Sequence, residues 1–180
     1  LAVKVHCLEQ ARDGWVLKDE QGSVLARPFH AVIFAIPAPQ VLQLLGHIAP
    51  LWMQAVAQIR MSPCWAVMAA TAESQEPPFD AAFINSGPLA WIANNASKPG
   101  RSKTPLWTLH ANAAWTSEHL HAHADEVTSA LVDAFQAITR LSVCDAIAHR
   151  WLYAKAELES TQGYLWDPGL RLAASGDWLS

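Results

Sequence analysis

The chain has 180 residues, 52% of them hydrophobic and only 16% charged, which is enough apolar material for one sizeable core or two small ones. The formal net charge of −4 and the pI of about 6.0 come without a basic stripe, which argues against a nucleic-acid partner. No uninterrupted apolar run approaches the ~20 residues of a membrane helix, and three scattered cysteines, Cys7, Cys64 and Cys144, lack metal-ligand spacing and suggest reduced thiols in a cytoplasmic protein.

Alternation predicts short strands over residues 2–9 and 14–18, a turn at Gln21–Gly22 and a third strand over 23–27, together a small antiparallel meander. The unbroken apolar run from His30 to Pro37 suits a strand buried on both faces of a parallel sheet. Pro39 can open the helix that follows through Val41, Leu42 and Leu45. Composition shifts near Gly46, after which residues 50–60 read as a short amphipathic helix. Strands are expected at 64–71, 81–85, 89–94, 105–111 and 146–155, with a polar loop over 71–80 and a turn cluster over 94–101. One helix interrupts them: Val127, Ala130, Leu131, Ala134, Phe135 and Ile138 recur at helical spacing, with Asp125 as the expected cap. A last strand is expected over 171–176. The fold class is therefore α/β in the α+β sense. An antiparallel sheet with a helix on one face occupies the middle, and both flanks belong to another layer. Strand-like text at residues 1–5 and at the C-terminal end predicts that the chain continues at both ends.

Nine tryptophans either fill cores or wall a pocket for a flat ligand. In 105–111, Leu106, Thr108 and His110 share one face; in 146–155, Ile147, His149, Trp151 and Tyr153 do. A histidine and an aromatic on neighbouring strands could line a pocket for a planar ring. From the residues alone, a core histidine bonded to a backbone carbonyl is the better reading of His110. His119, His121 and His123 have a spacing that fans them around a helix start, so no metal site is expected and an exposed loop is the better reading. Glu157, Glu159 and Asp167 are expected to be solvated. No serine has the strand-turn-helix setting of a nucleophile elbow, and no glycine-rich phosphate loop is present.

Seven stretches in order carry a resemblance. Ala31–Gln40 (AVIFAIPAPQ) resembles the returning strand of FAD-binding domains in the flavin amine-oxidase superfamily. Pro63–Met68 (PCWAVM), Trp91–Arg101 (WIANNASKPGR), Trp107–Ala111 (WTLHA) and Trp115–Leu120 (WTSEHL) resemble its bacterial renalase-like members. Ala148–Tyr153 (AHRWLY) is similar to the strand bearing a pocket tryptophan, and Leu172–Trp178 (LAASGDW) to the closing strand, where a Gly-Asp pair meets the cofactor.

The resemblance implies a flavoprotein with a Rossmann-like FAD domain and a separate substrate domain. Residues 1–46 and 160–180 would be remnants of the first and residues 47–159 the second. It implies oxidation of a small substrate, a dihydronicotinamide or an amine, by hydride transfer to FAD, with molecular oxygen reoxidising the flavin to give hydrogen peroxide. His110 and Trp151 fall on the pocket histidine and tryptophan, and Phe83 lies near an aromatic pocket position. Val5 matches a valine whose backbone reaches adenine, and Gly176 and Asp177 the pair near the ribityl and phosphate groups. The glycine would let backbone approach the cofactor, and Asp177 would accept from a ribityl hydroxyl. The N-terminal strand-Gly-x-Gly-x-x-Gly-helix that cradles the pyrophosphate is absent from this chain, so this piece alone is expected to bind FAD weakly or not at all and to be inactive. A noncatalytic binding or assembly module is the competing reading, and an amine oxidase with an aromatic cage is a second.

Overall fold

The computed structural model describes residues 3–72, 79–157 and 162–180. The chain divides into two units, Leu1–Met61 with Lys155–Ser180, and Ser62–Ala154.

In the first unit, alternating residues pair Cys7–Ala11 (β1) with Gly14–Lys18 (β2) as an antiparallel hairpin. The expected third strand over 23–27 is only a bridge between Lys18 and Val24. Gly14 is at φ +134°, and a Cβ there would lie 2.3 Å from the carbonyl oxygen of Phe29. Only glycine allows the adjacent exchange of backbone hydrogen bonds between Trp15 and Phe29, 2.7 and 2.8 Å.

The run from His30 to Pro37 contracts to Val32–Phe34 (β3), which pairs in parallel with Leu172–Ser175 (β10). β10 also pairs, antiparallel, with a strand the sequence did not announce, Tyr164–Asp167 (β9). The parallel pairing is as expected, but burial on both faces is not. β3 is an edge strand of the described sheet, and Ile33 is 70% exposed.

Ala38–Leu45 (α1) begins with Pro39 in its first turn and buries Ala38, Val41 and Leu45, while the expected helix over 50–60 shrinks to Met53–Ala57 (α2). These elements share a core with Leu8, Trp15, Phe34, Trp52 and Leu172. Two indoles tie distant segments together within it: Trp15 Nε1 donates to the Leu170 carbonyl (2.8 Å) and Trp178 Nε1 to the Ile36 carbonyl (3.0 Å).

The second unit is a five-stranded sheet flanked by helices. Its strands are Met61–Thr71 (β4), Ala81–Phe83 (β5), Leu89–Asn94 (β6), Leu106–Ala111 (β7) and Val143–Ala156 (β8), in the order β5-β6-β7-β4-β8. The β5/β6, β6/β7 and β7/β4 pairs are antiparallel. Ala124–Thr139 (α4) lays Val127, Leu131 and Phe135 on one sheet face, against Trp65, Val67, Ile92, Trp107 and Leu109. Phe135 and Trp107 rings stand 5.2 Å apart. The helix starts two residues earlier than Asp125 suggested: His123 is its N-cap, makes no side-chain cap, and leaves Asp125 and Glu126 in the first turn, where carboxylates favour the dipole. Ile138, expected on the apolar stripe, is exposed. Ala113–Glu118 (α3), which the sequence did not signal, is opened by the Asn112 side chain accepting from Trp115 N at 2.8 Å.

Candidate functional site: the uncovered face of the second sheet

Strand alternation sends every second side chain of this sheet away from α4. Cross-strand partners share a face, so the register identifies what is collected there. Phe83 pairs with Trp91, Trp91 with His110, and His110 with Ala66, one row running across β5, β6, β7 and β4. A second row holds Ala93, Thr108 and Met68. On β8 the guanidinium of Arg150 lies 5.6 Å from the Trp65 ring centre, on the helix-covered side, and also donates to the Leu120 carbonyl. Its neighbours His149 and Trp151 therefore face the other way, the same way as His110.

The result is an aromatic surface left open by the unit that builds it. Phe83 is 82% exposed and Trp151 55%, and Met68, Leu106 and Ile147 on the same face are exposed as well. Exposed large apolar groups gathered on one face mark a binding surface more often than scattered ones do. Four of the rings contact in two pairs. Trp91 and His110 lie 5.2 Å apart, tilted by 41°, and His149 meets Trp151 edge-on at 4.5 Å. Of the nine tryptophans, Trp15, Trp52, Trp65, Trp107 and Trp178 are core, which separates them from the two on this face.

His110 is half-buried, and its ring nitrogens have no hydrogen-bond partner among the described residues. It is not the carbonyl-bonded core histidine. Burial, and secondarily the charge of Lys98, hold its imidazole below the usual histidine range, so at neutral pH it is an uncharged ring with one donor and one acceptor to offer. Lys98 belongs to a chain of contacts on this face: Asn95 Nδ2 donates to Thr108 Oγ1 (2.9 Å), and Lys98 Nζ donates to Asn95 Oδ1 (2.6 Å). A 3₁₀ turn at Asn95–Ser97, capped by Asn94, holds Asn95 in place.

Trp91 and the Asn95–Lys98 pair carry no role in the sequence reading. Leu89 and Trp91 have the same parity, which would put both on the core side. A bulge between them breaks the count, so that Leu89 opposes Ala111 in the core while Trp91 opposes His110 on the open face.

The remaining sequence-singled residues lie elsewhere. Val5, half-buried, lines a cleft of about 680 Å³ in the first unit with Leu8, Leu17, Phe34, Ile36 and Gln40. Gly176 follows β10 with extended backbone, and a Cβ there would lie 2.6 Å from Trp178 Nε1. Glycine is thus required to seat that indole, a reason independent of any cofactor. Asp177 is exposed, and its carboxylate accepts nothing from a described residue.

His119 is not in an exposed loop. Its ring stacks on Trp115 at 4.0 Å and its Nδ1 lies 2.9 Å from the Trp115 carbonyl, while His121 and His123 are exposed. No group of three metal-ligating side chains occurs among the described residues. Burial pushes the Cys64 thiol up, and its Sγ lies 3.7 Å from the Ala111 carbonyl.

Asp167, expected to be solvated, is buried. Its carboxylate accepts from Leu51 N at 2.8 Å and Leu170 N at 2.9 Å, and these bonds, with one from Gly169, hold it below the usual carboxylate range. Glu157 is exposed just past β8, and Glu159 is outside the described residues.

Solved structures share this architecture. A protein assigned as a protoporphyrinogen oxidase from Exiguobacterium sp. 255-15 superposes with a TM-score of 0.62 at 18% identity, over 87% of this chain and 35% of its own. Cyclohexylamine oxidase from Brevibacterium oxydans superposes at 0.63 and 15% identity, over 100% of this chain and 43% of its own. An oxidoreductase from Methanosarcina mazei does so at 0.61 and 12%, over 98% and 44%. The fold is one that oxidoreductases use. The chain spans well under half of each of these structures, and no protein-family model matches it. Among the described residues, no helix is long and apolar enough to cross a membrane.

Proposed function

We propose that this chain is the substrate-binding portion of an FAD-dependent oxidoreductase acting on a small planar molecule. The observation that carries the reading is the row Phe83–Trp91–His110, with Trp151, on a sheet face that its own unit leaves uncovered. Such a surface suits a flat ring, which would lie against an indole while neutral His110 orients it through one hydrogen bond. The similarity in fold to oxidases supports the reaction class.

FAD would supply the redox chemistry, accepting a hydride from the substrate and being reoxidised by oxygen with release of hydrogen peroxide. The residues of the first unit fit a share of its binding: Val5 opens onto an apolar cleft, and the Asp177 carboxylate is free to accept from a hydroxyl. The protein's own contribution is placement, since hydride transfer demands near-contact geometry and excludes a loosely held ring. On this reading His110 is an orienting group rather than an obligatory base.

The test is expression of the complete reading frame that encodes this chain, followed by its absorption spectrum and a peroxide assay with amines and with dihydronicotinamides. A yellow protein with flavin bands and peroxide release is expected. A protein that takes up no FAD overturns the reading and favours a noncatalytic binding module.

A further inference from the structure

Between β5 and α3 the charged side chains are all of one sign. The segment 81–117 contains Lys98, Arg101 and Lys103 and not one Asp or Glu. All three cations lie in or just beyond the turn that follows β6. Lys103 Nζ reaches back to the Ala96 carbonyl at 3.4 Å, and Arg101 N to the Lys98 carbonyl at 3.3 Å. Asp80 and Glu118 bound the segment on either side, and the Asp80 backbone carbonyl takes the Asn94 N–H. Among the described residues none of the three cations forms an ion pair, in contrast to Lys18, which pairs with Glu9.

Of the three, Lys98 is the one tied to the face. Its ammonium is held by Asn95 Oδ1, and Asn95 is held by Thr108, two residues from His110 on the same side of β7. An ammonium anchored by an amide oxygen keeps two of its three N–H donors for something else. His110 supplies no counter-charge, because an imidazole is neutral or cationic and never anionic.

We propose that the planar ligand of this face carries an anionic substituent, a carboxylate or a phosphate, and that Lys98, positioned by Asn95 and Thr108, is the residue that selects it. The proposal rests on the ring-binding reading above and sharpens it, since the same charges work against a cationic amine. Lys98 is a specificity residue here, with the ring held beside Trp91 and His110 and the charged group by the ammonium.

Nuclear magnetic resonance of the chain separates the ideas, with benzoate, phenyl phosphate and benzylamine as probes at matched ionic strength. The readouts are the His110 imidazole and Trp91 indole signals. The two anions should move these signals at concentrations at least about fivefold below benzylamine, and Lys98→Met should weaken them about threefold to fivefold, the range of an exposed ion pair. Lys98→Arg should restore anion binding, and benzylamine should be indifferent to the loss or gain from it. Tighter binding of benzoate or of phenyl phosphate identifies which anionic group the site takes. If benzylamine binds as well as the anions, or Lys98→Met leaves them unaffected while the signals still move, the anion proposal falls and ring binding stands. If no probe moves either signal, the ring-binding reading falls and takes the proposal with it. Because Lys98 is exposed, loss of fold in the variant is not expected, and unchanged signals from Phe135 and Trp107 in the core check it.

Discussion

Replacing Asp167 tests how the first unit holds its C-terminal strands. The carboxylate sits at the end of β9 and accepts from Leu51, 116 residues away, as well as from Leu170 and Gly169 in the turn toward β10. Hydrogen bonds to a charged group are worth about 1.5–3 kcal/mol each, and an abandoned buried donor costs about 1–3 kcal/mol. The donors here belong to residues at the surface: Leu51 is exposed and Leu170 half-buried. Water can therefore replace part of what is lost, and the low end of the range applies. The two bonds from Leu51 and Leu170, at about 1 kcal/mol each, give an expected loss of about 2 kcal/mol for Asp167→Ala; Asp167→Asn, which keeps one acceptor, should lose about 1 kcal/mol.

The acid limb of stability carries a second signature. Because the folded carboxyl titrates below its ordinary value of 3.8, its contribution is present in full above that value and is lost as pH falls through the folded pKa. Urea titrations at neutral pH and near pH 3, read by far-ultraviolet circular dichroism, measure both effects. A wild type and Asp167→Ala within about 0.5 kcal/mol of each other, or an Asn variant with the wild-type acid slope, would refute the assignment.

Other outcomes follow from the same geometry. His110 should titrate below 6.5, so that its contribution to stability is complete above 6.5 and diminishes as pH falls toward its folded pKa. Lys98→Met should raise that pKa only part of the way, since burial is the larger cause, and a full return to 6.5 in a histidine NMR titration would contradict it. Gly176→Ala should displace the Trp178 indole from the Ile36 carbonyl and cost about 1–3 kcal/mol by overpacking; an unshifted Trp178 N–H resonance would count against this. Trp151→Ala should cost under about 1 kcal/mol because the side chain is largely exposed, whereas Trp107→Ala should cost about 3–5 kcal/mol. Equal effects in thermal melts would mean that the two faces have been misassigned.

Local pattern made part of this legible. Alternation in 105–111 puts Thr108 and His110 together, and helical spacing finds α4, because both signals are complete within one element. What was missed depends on partners far away in sequence. β9 is four residues long and becomes a strand only beside β10. Asp167 reads as a loop acid until Leu51 is brought to it. His30–Pro37 is apolar like an interior strand, yet β3 lies at an edge of the described sheet. On the candidate face, alternation collects His110 and Trp151 within their own strands, but the placing of Trp91 depends on a bulge, and the Thr108–Asn95–Lys98 chain joins β7 to the turn after β6.

The irregularity between Leu89 and Trp91 has a bearing on how the chain tolerates change. Ala90 is the spare residue, with its carbonyl taken by Ile84 N at 2.8 Å. Excising it would leave a regular strand in which Leu89 still points inward and Trp91 still meets His110, whereas adding one residue after Trp91 would turn Ile92 out of the core. Length variation at this spot is thus asymmetric, forgiving of a one-codon loss and hostile to a one-codon gain.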